Sequence, residues 1–177
     1  MPKKIRKLED YITVIPNFPK KGIVFRDITS VIESVDGFRL SINELMDLLS
    51  DVEFDKLVAL ESRGFIFGAP IAYELQKPMV LVRKKGKLPR ETISADYGLE
   101  YGKSAIEIHR NSIEPGDRVV LLDDLIATGG TLEAAGRLVE RLGGEVVKVA
   151  ALVELRGFNA RERLKYDISC VLSYDGK

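Results

Sequence analysis

The chain of 177 residues is long enough for one domain with a substantial core. Its 45% hydrophobic and 31% charged residues are typical of a globular protein and exclude a disordered chain. Lysine plus arginine (27) balance aspartate plus glutamate (27), so the net charge gives no general attraction to nucleic acid or membranes.

Cysteine use and the N-terminal residues favour the cytoplasm. Cys170 is the only cysteine, so the chain cannot form an internal disulfide or a cysteine-cluster metal site, which favours a reducing compartment. The basic residues 1–11 are not followed by an apolar stretch, and no apolar run approaches membrane-spanning length. We therefore expect a cytoplasmic protein without nucleic-acid or membrane partners.

Apolar runs alternate with helix-like segments along most of the chain. The predicted elements, in chain order, are helices at 5–12 and 37–50, a strand at 56–60, a helix at 63–76, strands at 78–82 and 118–123, a helix at 129–143 and a strand at 146–155. Strands that alternate with helices favour right-handed crossovers and a mostly parallel sheet. We predict a single α/β domain over residues 1–177, with helices flanking the sheet.

Residues 83–103, RKKGKLPRETISADYGLEYGK, interrupt this alternation. They are polar, contain glycine, and are basic at the front and acidic at the back, with no sustained apolar period. Loops of this length inside a compact domain are typically functional lids or disordered segments. We interpret the segment as a mobile lid loop over a ligand site; a solvated surface loop is the alternative.

Two weaker signals do not predict function. The stretch GLEYGKS (98–104) is similar to a phosphate-binding P-loop, but it has three residues between its glycines where the motif needs four. His109 is the only histidine and lies in a strand-like alternation, so we do not expect it to be a general base or a metal ligand.

The stretch VVLLDDLIATGGTLEAA (119–135) places Asp123 and Asp124 after a buried strand, where ligands of parallel sheets bind. The turn at 127–131 opens a helix, whose backbone N–H groups and dipole favour a phosphate. The two carboxylates cannot bind phosphate, but they accept hydrogen bonds from vicinal hydroxyls. The stretch therefore predicts a ribose 5-phosphate site. The alternative, aspartates that only cap the helix, accounts for one of the two.

This stretch resembles the ribose-phosphate signature of the type I phosphoribosyltransferases. The stretches FPKKGIVFRDIT (18–29), LESRGFIFGAPIA (60–72) and the segment 83–103 narrow the resemblance to adenine-specific members, over nearly the whole chain. The resemblance implies that fold, with a small N-terminal hood over residues 1–36 that binds the base and a flexible catalytic loop at 83–103. It also implies transfer of the phosphoribosyl group from phosphoribosyl pyrophosphate to adenine, giving AMP and pyrophosphate, by a magnesium-dependent homodimer.

The resemblance assigns the sugar and pyrophosphate contacts to particular residues. Asp123 and Asp124 would hold the ribose hydroxyls during catalysis, and the 5-phosphate would be bound by Ala127, Thr128, Gly129, Gly130 and Thr131. The pyrophosphate would be bound by a loop of Glu61, Ser62 and Arg63, often with a cis peptide bond, and by Arg83, Lys84 and Lys87. The family often has aspartate where Glu61 stands, and Arg83 would reach in from a neighbouring subunit.

The resemblance also assigns the base site and the proton-transfer residue. Adenine would be bound by Val24, Phe25, Arg26 and Leu155, with Phe25 and Leu155 sandwiching the ring. Glu100 would assist proton transfer at the purine. Magnesium would be held mainly by the substrate, without a dedicated protein site.

Two other functions stay open at this stage. The chain could act on another purine, because the sequence around Phe25 has no obvious side chain that distinguishes adenine from its keto relatives. It could also be a non-enzymatic regulator on the same fold that senses a purine or phosphoribosyl pyrophosphate. Such regulators usually carry a DNA-binding domain, for which this chain has no room.

Overall fold

The computed structural model describes residues 6–99 and 102–176. The elements in chain order are a 3-10 helix (Leu8–Tyr11), β1 (Thr13–Pro16), β2 (Val24–Asp27), α1 (Thr29–Ile32), α2 (Val35–Asp47), β3 (Lys56–Leu60), α3 (Gly64–Glu74), β4 (Met79–Lys84), β5 (Thr92–Leu99), β6 (Gly102–His109), β7 (Arg118–Ile126), α4 (Gly130–Arg141), β8 (Glu145–Leu155), a 3-10 helix (Arg156–Phe158), α5 (Ala160–Arg163) and β9 (Ile168–Tyr174). None of the helices in this described part has the length and apolar character needed to span a membrane.

The central sheet has seven strands in the order β5-β6-β4-β3-β7-β8-β9. From β4 to β9 the neighbouring strands pair in parallel, whereas β6 pairs antiparallel with both β4 and β5. The predicted α/β fold with a mostly parallel sheet is confirmed. Because parallel strands end at the same edge of a sheet, the residues that follow β3, β4 and β8 and those at the end of β7 lie close together.

Strand β7 contributes to a hydrophobic core on each face of the sheet. Val119 and Leu121 belong to the core that α4 covers, and Val120 and Leu122 belong to the core that α2 and α3 cover. Side chains alternate between the faces of a strand, so an unbroken apolar run is required where both faces are buried. Burial on both faces therefore accounts for the unbroken apolar run at 119–122.

The helix predicted at 129–143 is α4, and its apolar stripe is buried as expected. Leu132, Ala135 and Leu138 are 2%, 0% and 0% exposed. The helix predicted at 37–50 begins two residues earlier, at Val35, because the Ser34 side chain accepts a hydrogen bond from the Gly37 amide at 3.2 Å and caps it.

The segment 83–103 contains more regular structure than its sequence predicts. Strands β5 and β6 pair antiparallel from Thr92 opposite His109 to Leu99 opposite Gly102. Ile93, Ala95 and Tyr97 pack against the core beneath α4. The expectation that this segment has no sustained apolar period was wrong for β5. Its alternation of apolar and polar side chains is weak in the sequence, because some of the residues that alternate are small. Arg137 and Arg141 of α4 hold the strand by donating to the carbonyl groups of residues 96 and 94, at 2.9 and 2.7 Å. Movement of the segment stays a prediction.

The N-terminal region has its own sheet of two antiparallel strands, β1 and β2. The Ser30 hydroxyl joins this sheet to the preceding helical turn, since it donates to the Tyr11 carbonyl at 2.7 Å and accepts from the Thr13 amide at 2.9 Å. Ile12 and Ile28 anchor the region on the core that α2 and α3 cover. Strand β2 carries three of the predicted base-site residues, and its position therefore decides where a base could bind.

Candidate active site

Three adjoining cavities of about 350, 130 and 170 Å³ lie at the carboxyl edge of the parallel strands. We call them the central, phosphate and base cavities. Asp123, Leu125 and Thr131 line both the central and the phosphate cavity, and Arg63, Asp124 and Leu125 line both the central and the base cavity. The three cavities are therefore parts of one continuous site.

The two aspartates lie within β7 rather than beyond it. The ladder between β7 and β8 continues to Ile126, whereas the ladder between β7 and β3 ends at Leu122. The expectation that the strand stops at Asp123 was therefore wrong, because β8 supports it for three more residues. Without a β3 neighbour, Asp123 and Asp124 face the central cavity.

Asp123 and Asp124 form a strongly interacting carboxyl pair. Burial, followed by repulsion from Asp124 and a hydrogen bond with its side chain, raises the pKa of Asp123 well above its usual range. The Asp124 amide donates to Oδ1 of Asp123 at 2.9 Å. Nε of Arg63 lies 2.8 Å from Oδ2 of Asp124, so the two side chains form an ion pair. The geometry is not that of a hydrogen bond, and Oδ2 has no hydrogen-bond donor among the described residues. Arg63 thus offsets part of the negative charge.

The phosphate cavity is lined by residues 125–132 together with Asp123. Gly129 precedes α4 with a φ of 76°, and a Cβ there would lie 3.1 Å from the Leu164 side chain, so glycine is required. No side chain in the described part of the chain caps the N-terminus of α4. The first amides of the helix are therefore available to an anion, and the helix dipole favours one. All five residues predicted for the 5-phosphate line this cavity.

The residues predicted to bind pyrophosphate lie in the loop after β3, at the end of β4 and in the turn that follows β4. Glu61, Ser62, Arg63 and Lys84 line the central cavity, and the Glu61–Ser62 peptide bond is cis, as the resemblance implied. The Arg83 guanidinium donates to both carboxylate oxygens of Glu61 at 3.2 Å and to the Lys87 carbonyl at 3.1 Å. Arg83 and Lys87 are not among the residues that line the described cavities.

Glu61 has a role that its sequence position did not indicate. Its carboxylate accepts a hydrogen bond from the Lys84 amide at 2.9 Å, in addition to those from Arg83. Burial raises the pKa of Glu61, but the Lys84 amide and Arg83 together lower it further, so the net shift is downward. The side chain therefore joins the loop after β3 to the last residues of β4.

The base cavity has a largely apolar lining. Val24, Phe25, Arg26 and Leu155 all contribute to it, as the resemblance implied for the adenine site. Sequence reasoning missed Ile23, Ile28 and Phe158, which also line it; Phe158 follows Leu155 closely enough for the sequence to have suggested it.

The Arg26 side chain is held against a neighbouring ring. Its guanidinium carbon lies 3.7 Å from the centre of the Tyr174 ring. Nε of Arg26 is buried and has no hydrogen-bond partner among the described residues. Stacking on Tyr174 therefore fixes this side chain, and Tyr174 itself pairs with Leu155 in the ladder between β9 and β8.

Glu100, the predicted proton-transfer residue, lies outside the described residues. The central cavity also includes Leu125, Val82, Tyr97 and Ile106, which sequence reasoning missed. Leu125 follows the aspartate pair directly and could have been found from that motif. The other three come from β4 and the hairpin of β5 and β6, whose pairing across the sheet has no local signal in the sequence.

The chain matches known proteins along nearly its whole length. A family model described as a phosphoribosyl transferase domain matches residues 33–175. The adenine phosphoribosyltransferase of Agathobacter rectalis is 58% identical over 174 residues, which are 98% of this chain and 100% of that protein. The crystal structure of adenine phosphoribosyltransferase from Thermoanaerobacter pseudethanolicus has a TM-score of 0.90 at 48% identity, covering 95% of this chain and 100% of that one.

A eukaryotic structure gives the same fold at lower identity. The Saccharomyces cerevisiae adenine phosphoribosyltransferase, solved with an imino-altritol bisphosphate and adenine, has a TM-score of 0.87 at 38% identity and covers 93% of this chain. Because the family model matches residues 33–175, most of the chain, this chain belongs to the phosphoribosyltransferase family. Within that family it belongs to the adenine phosphoribosyltransferases, and transfer of a phosphoribosyl group to adenine in purine salvage is its activity. The resemblance found in the sequence is confirmed.

Proposed function

We propose that the three cavities divide the reaction between them, with the 5-phosphate at the start of α4, the ribose and pyrophosphate in the central cavity and adenine in the base cavity. The observation that supports this most is the shared lining. Asp124 and Leu125 border both the central and the base cavity, so an anomeric carbon held by the aspartates lies next to the incoming purine. This arrangement favours direct transfer between bound substrates.

The ribose hydroxyls donate hydrogen bonds to Asp123 and Asp124. A carboxylate that accepts such bonds is a stronger partner than a neutral group. In the free protein Arg63 forms an ion pair with Asp124, and the ribose hydroxyls replace Arg63 as the partners of Asp124 when the substrate binds. Arg63 is then available to the pyrophosphate group, which occupies the same cavity.

Cleavage of the bond between C1′ and pyrophosphate builds positive charge on the sugar and negative charge on the leaving group. Arg63 and Lys84 line the central cavity and stabilise the leaving group. Lys87, in the turn after β4, adds to this positive charge, whereas Arg83 adds to it in the site of the neighbouring subunit. Glu61 contributes by holding Arg83 and the Lys84 amide, not by binding the anion itself.

Magnesium fits this site as an ion bound mainly by substrate. No group of three or more histidine, cysteine, aspartate or glutamate side chains among the described residues could hold a metal. Magnesium commonly keeps several waters and takes one or two carboxylates together with substrate phosphates. Substrate oxygens would supply most of its ligands here, because Asp123 and Asp124 are taken by the ribose hydroxyls. When bound, magnesium neutralises charge on the pyrophosphate.

The purine ring stacks between Phe25 and Leu155, and backbone groups of Val24 and Arg26 read its edge. Adenine presents an amino donor and an N1 acceptor, whereas hypoxanthine presents the reverse. A backbone carbonyl and an amide that satisfy adenine would both be unpaired against hypoxanthine, at about 1–3 kcal/mol each. The Arg26 side chain is occupied by Tyr174, and this supports reading by the backbone.

Water must be kept from the reacting carbon, since it would otherwise capture the sugar cation. The hairpin of β5 and β6 supplies Tyr97 and Ile106 to the wall of the central cavity. We assign closure over the site to this segment and proton transfer at the purine to Glu100.

The active form is a cytoplasmic homodimer in which Arg83 acts on the partner's site. Its position outside the three cavities of its own chain supports this assignment. Mixed dimers of Arg83→Ala and Asp124→Ala chains, each nearly inactive alone, regain activity because one site is then intact. No recovery in dimers shown to be mixed would assign Arg83 to its own chain.

Incubation of the protein with adenine, phosphoribosyl pyrophosphate and magnesium should release AMP and pyrophosphate. Parallel reactions with hypoxanthine and guanine test the choice of base, and omission of magnesium tests the metal. Tight binding of adenine without turnover would favour a sensing role, and faster turnover of another purine would replace adenine as the substrate.

A further inference from the structure

Glu107 is a buried carboxylate of β6 behind the basic turn that follows β4. It is 4% exposed. It lies opposite Arg83 in the ladder between β4 and β6, and opposite Ser94 in the ladder between β5 and β6. Its side chain does not line the described cavities, so it acts through other residues if it contributes to the reaction.

The Glu107 carboxylate is satisfied mainly by backbone groups of that turn. Its Oε1 accepts hydrogen bonds from the amides of Lys87 and Leu88, at 2.9 and 2.8 Å. Its Oε2 accepts one from the Thr92 hydroxyl at 3.2 Å. Burial raises the pKa of Glu107, but the amides of Leu88, Gly86 and Lys87 lower it further, so the carboxylate is held in its charged form.

The turn needs such support because it concentrates positive charge. Residues 83–87 read RKKGK, with four cations in five positions, and like charges at this spacing repel. Glu61 holds the first part of the turn through Arg83 and the Lys84 amide. Glu107 holds the second part through two amides, from the opposite side of β4. Hydrogen bonds to Glu61 and Glu107 therefore hold the segment 83–88 at its beginning and at its end.

We propose that Glu107 is a positioning residue for the phosphoribosyl pyrophosphate reaction, which fixes the 84–88 turn so that its cations meet the pyrophosphate group. This inference rests on the proposed role of Lys84 and its neighbours in binding pyrophosphate. It assigns to Glu107 no contact with substrate. The essential property is the place of its acceptor oxygen, not its charge alone.

Two conservative variants separate position from charge. Glu107→Gln keeps an oxygen where both amides donate, and loses the charge. Glu107→Asp keeps the charge, but the side chain is one methylene shorter, so the oxygen withdraws from the turn. A misplacement of about 1 Å can reduce a reaction step about a hundredfold. We therefore expect Glu107→Asp to weaken pyrophosphate binding about tenfold or more, and Glu107→Gln to stay within about threefold of wild type.

The measurements are the Kd of magnesium pyrophosphate by calorimetry, the KM values of both substrates and the melting temperature. The KM of adenine should stay constant in both variants, because the base cavity is lined by other elements. Asp117→Asn is the matched control, since Asp117 also accepts a backbone hydrogen bond, from Glu114 at 2.6 Å, and pairs with Lys56 at 2.7 Å, away from the three cavities. It should change the melting temperature only.

Unchanged pyrophosphate affinity in a folded Glu107→Asp protein would overturn the inference. A larger loss in Glu107→Gln than in Glu107→Asp would do so as well, because charge would then be the decisive property. Lys84→Ala tests the proposed role of Lys84 in binding pyrophosphate, on which the inference rests. If Lys84→Ala leaves pyrophosphate binding intact, the proposed role of the turn fails; if it weakens binding while Glu107→Asp does not, only the positioning role fails.

Discussion

Substitution of Asp124 by asparagine should weaken phosphoribosyl pyrophosphate more than adenine. The side chain of Asp124 is 7% exposed and lies at the border of the central and base cavities. Asparagine is nearly the same size, so the cavity keeps its shape while the negative charge disappears. The change therefore removes a charged acceptor for the ribose hydroxyls and also the ion pair with Arg63.

These two losses have opposite effects on substrate binding. A hydrogen bond to a charged group contributes about 1.5–3 kcal/mol. The Arg63 side chain is 45% exposed, and an ion pair with so much solvent contact contributes at most about 1 kcal/mol. Because Arg63 competes with the sugar for Asp124, loss of the pair favours binding by that amount. The net loss is about 0.5–3 kcal/mol, or about 2-fold to 150-fold weaker binding.

Calorimetric titration of four ligands checks this reasoning. Phosphoribosyl pyrophosphate and AMP both carry the ribose diol and should bind more weakly to Asp124→Asn. Pyrophosphate has no diol, and its affinity should be unchanged or slightly higher because Arg63 is released. Adenine should keep its affinity. Equal weakening of pyrophosphate and phosphoribosyl pyrophosphate, or no weakening of either in a folded protein, would refute the assignment of Asp124 to the sugar.

Asp123→Asn should change how stability depends on pH. The pKa of Asp123 is raised in the folded protein, so the folded state binds more protons and the wild type loses stability as pH rises from the usual aspartate pKa to the raised one. The advantage of Asp123→Asn in unfolding free energy, measured by urea unfolding, should therefore grow as the pH rises above about 4, the usual aspartate pKa. Arg26→Ala should lose the contact with Tyr174, worth about 0.5–2 kcal/mol, and lower turnover of adenine without admitting hypoxanthine.

Each of these last two experiments has a clear opposing result. A stability difference that is constant with pH would mean that Asp123 titrates alike in the folded and unfolded states. Efficient use of hypoxanthine by Arg26→Ala would make the side chain, not the backbone, the reader of the purine. Tyr174→Phe serves as the control for the second experiment, because it keeps the ring on which Arg26 stacks.

The sequence predicted the elements whose signals are local. The apolar run before Asp123 and the helical stripe of α4 are contiguous, and the glycine at 129 marks the start of that helix. The aspartate pair and the turn at 127–131 could be recognised for the same reason, since both belong to one short continuous stretch of the sequence. Within this stretch the end of β7 was misjudged, because support by β8 on one side and not by β3 on the other is a property of the sheet.

The remaining features depend on contacts between distant segments. Strand β5 is held by arginines of α4, about forty residues further along the chain. Glu107 appears in the sequence as an ordinary polar position in an alternating strand, and its partners are amides some twenty residues earlier. A backbone amide has no sequence signature, so a side chain whose partners are backbone groups cannot be identified from composition or spacing.

The separate pairing of the small N-terminal sheet has a consequence for how this site can change. Strands β1 and β2 pair with each other and, in the described residues, with no strand of the large sheet. The phosphate cavity is built entirely from β7 and α4 with the turn between them, whereas residues 23–26 contribute much of the wall around the base. On the proposed assignment of the cavities, replacement of residues 13–27 should therefore alter which nucleobase is accepted and preserve the binding of the sugar phosphate. The choice of acceptor and the handling of the donor would then depend largely on different segments of the chain.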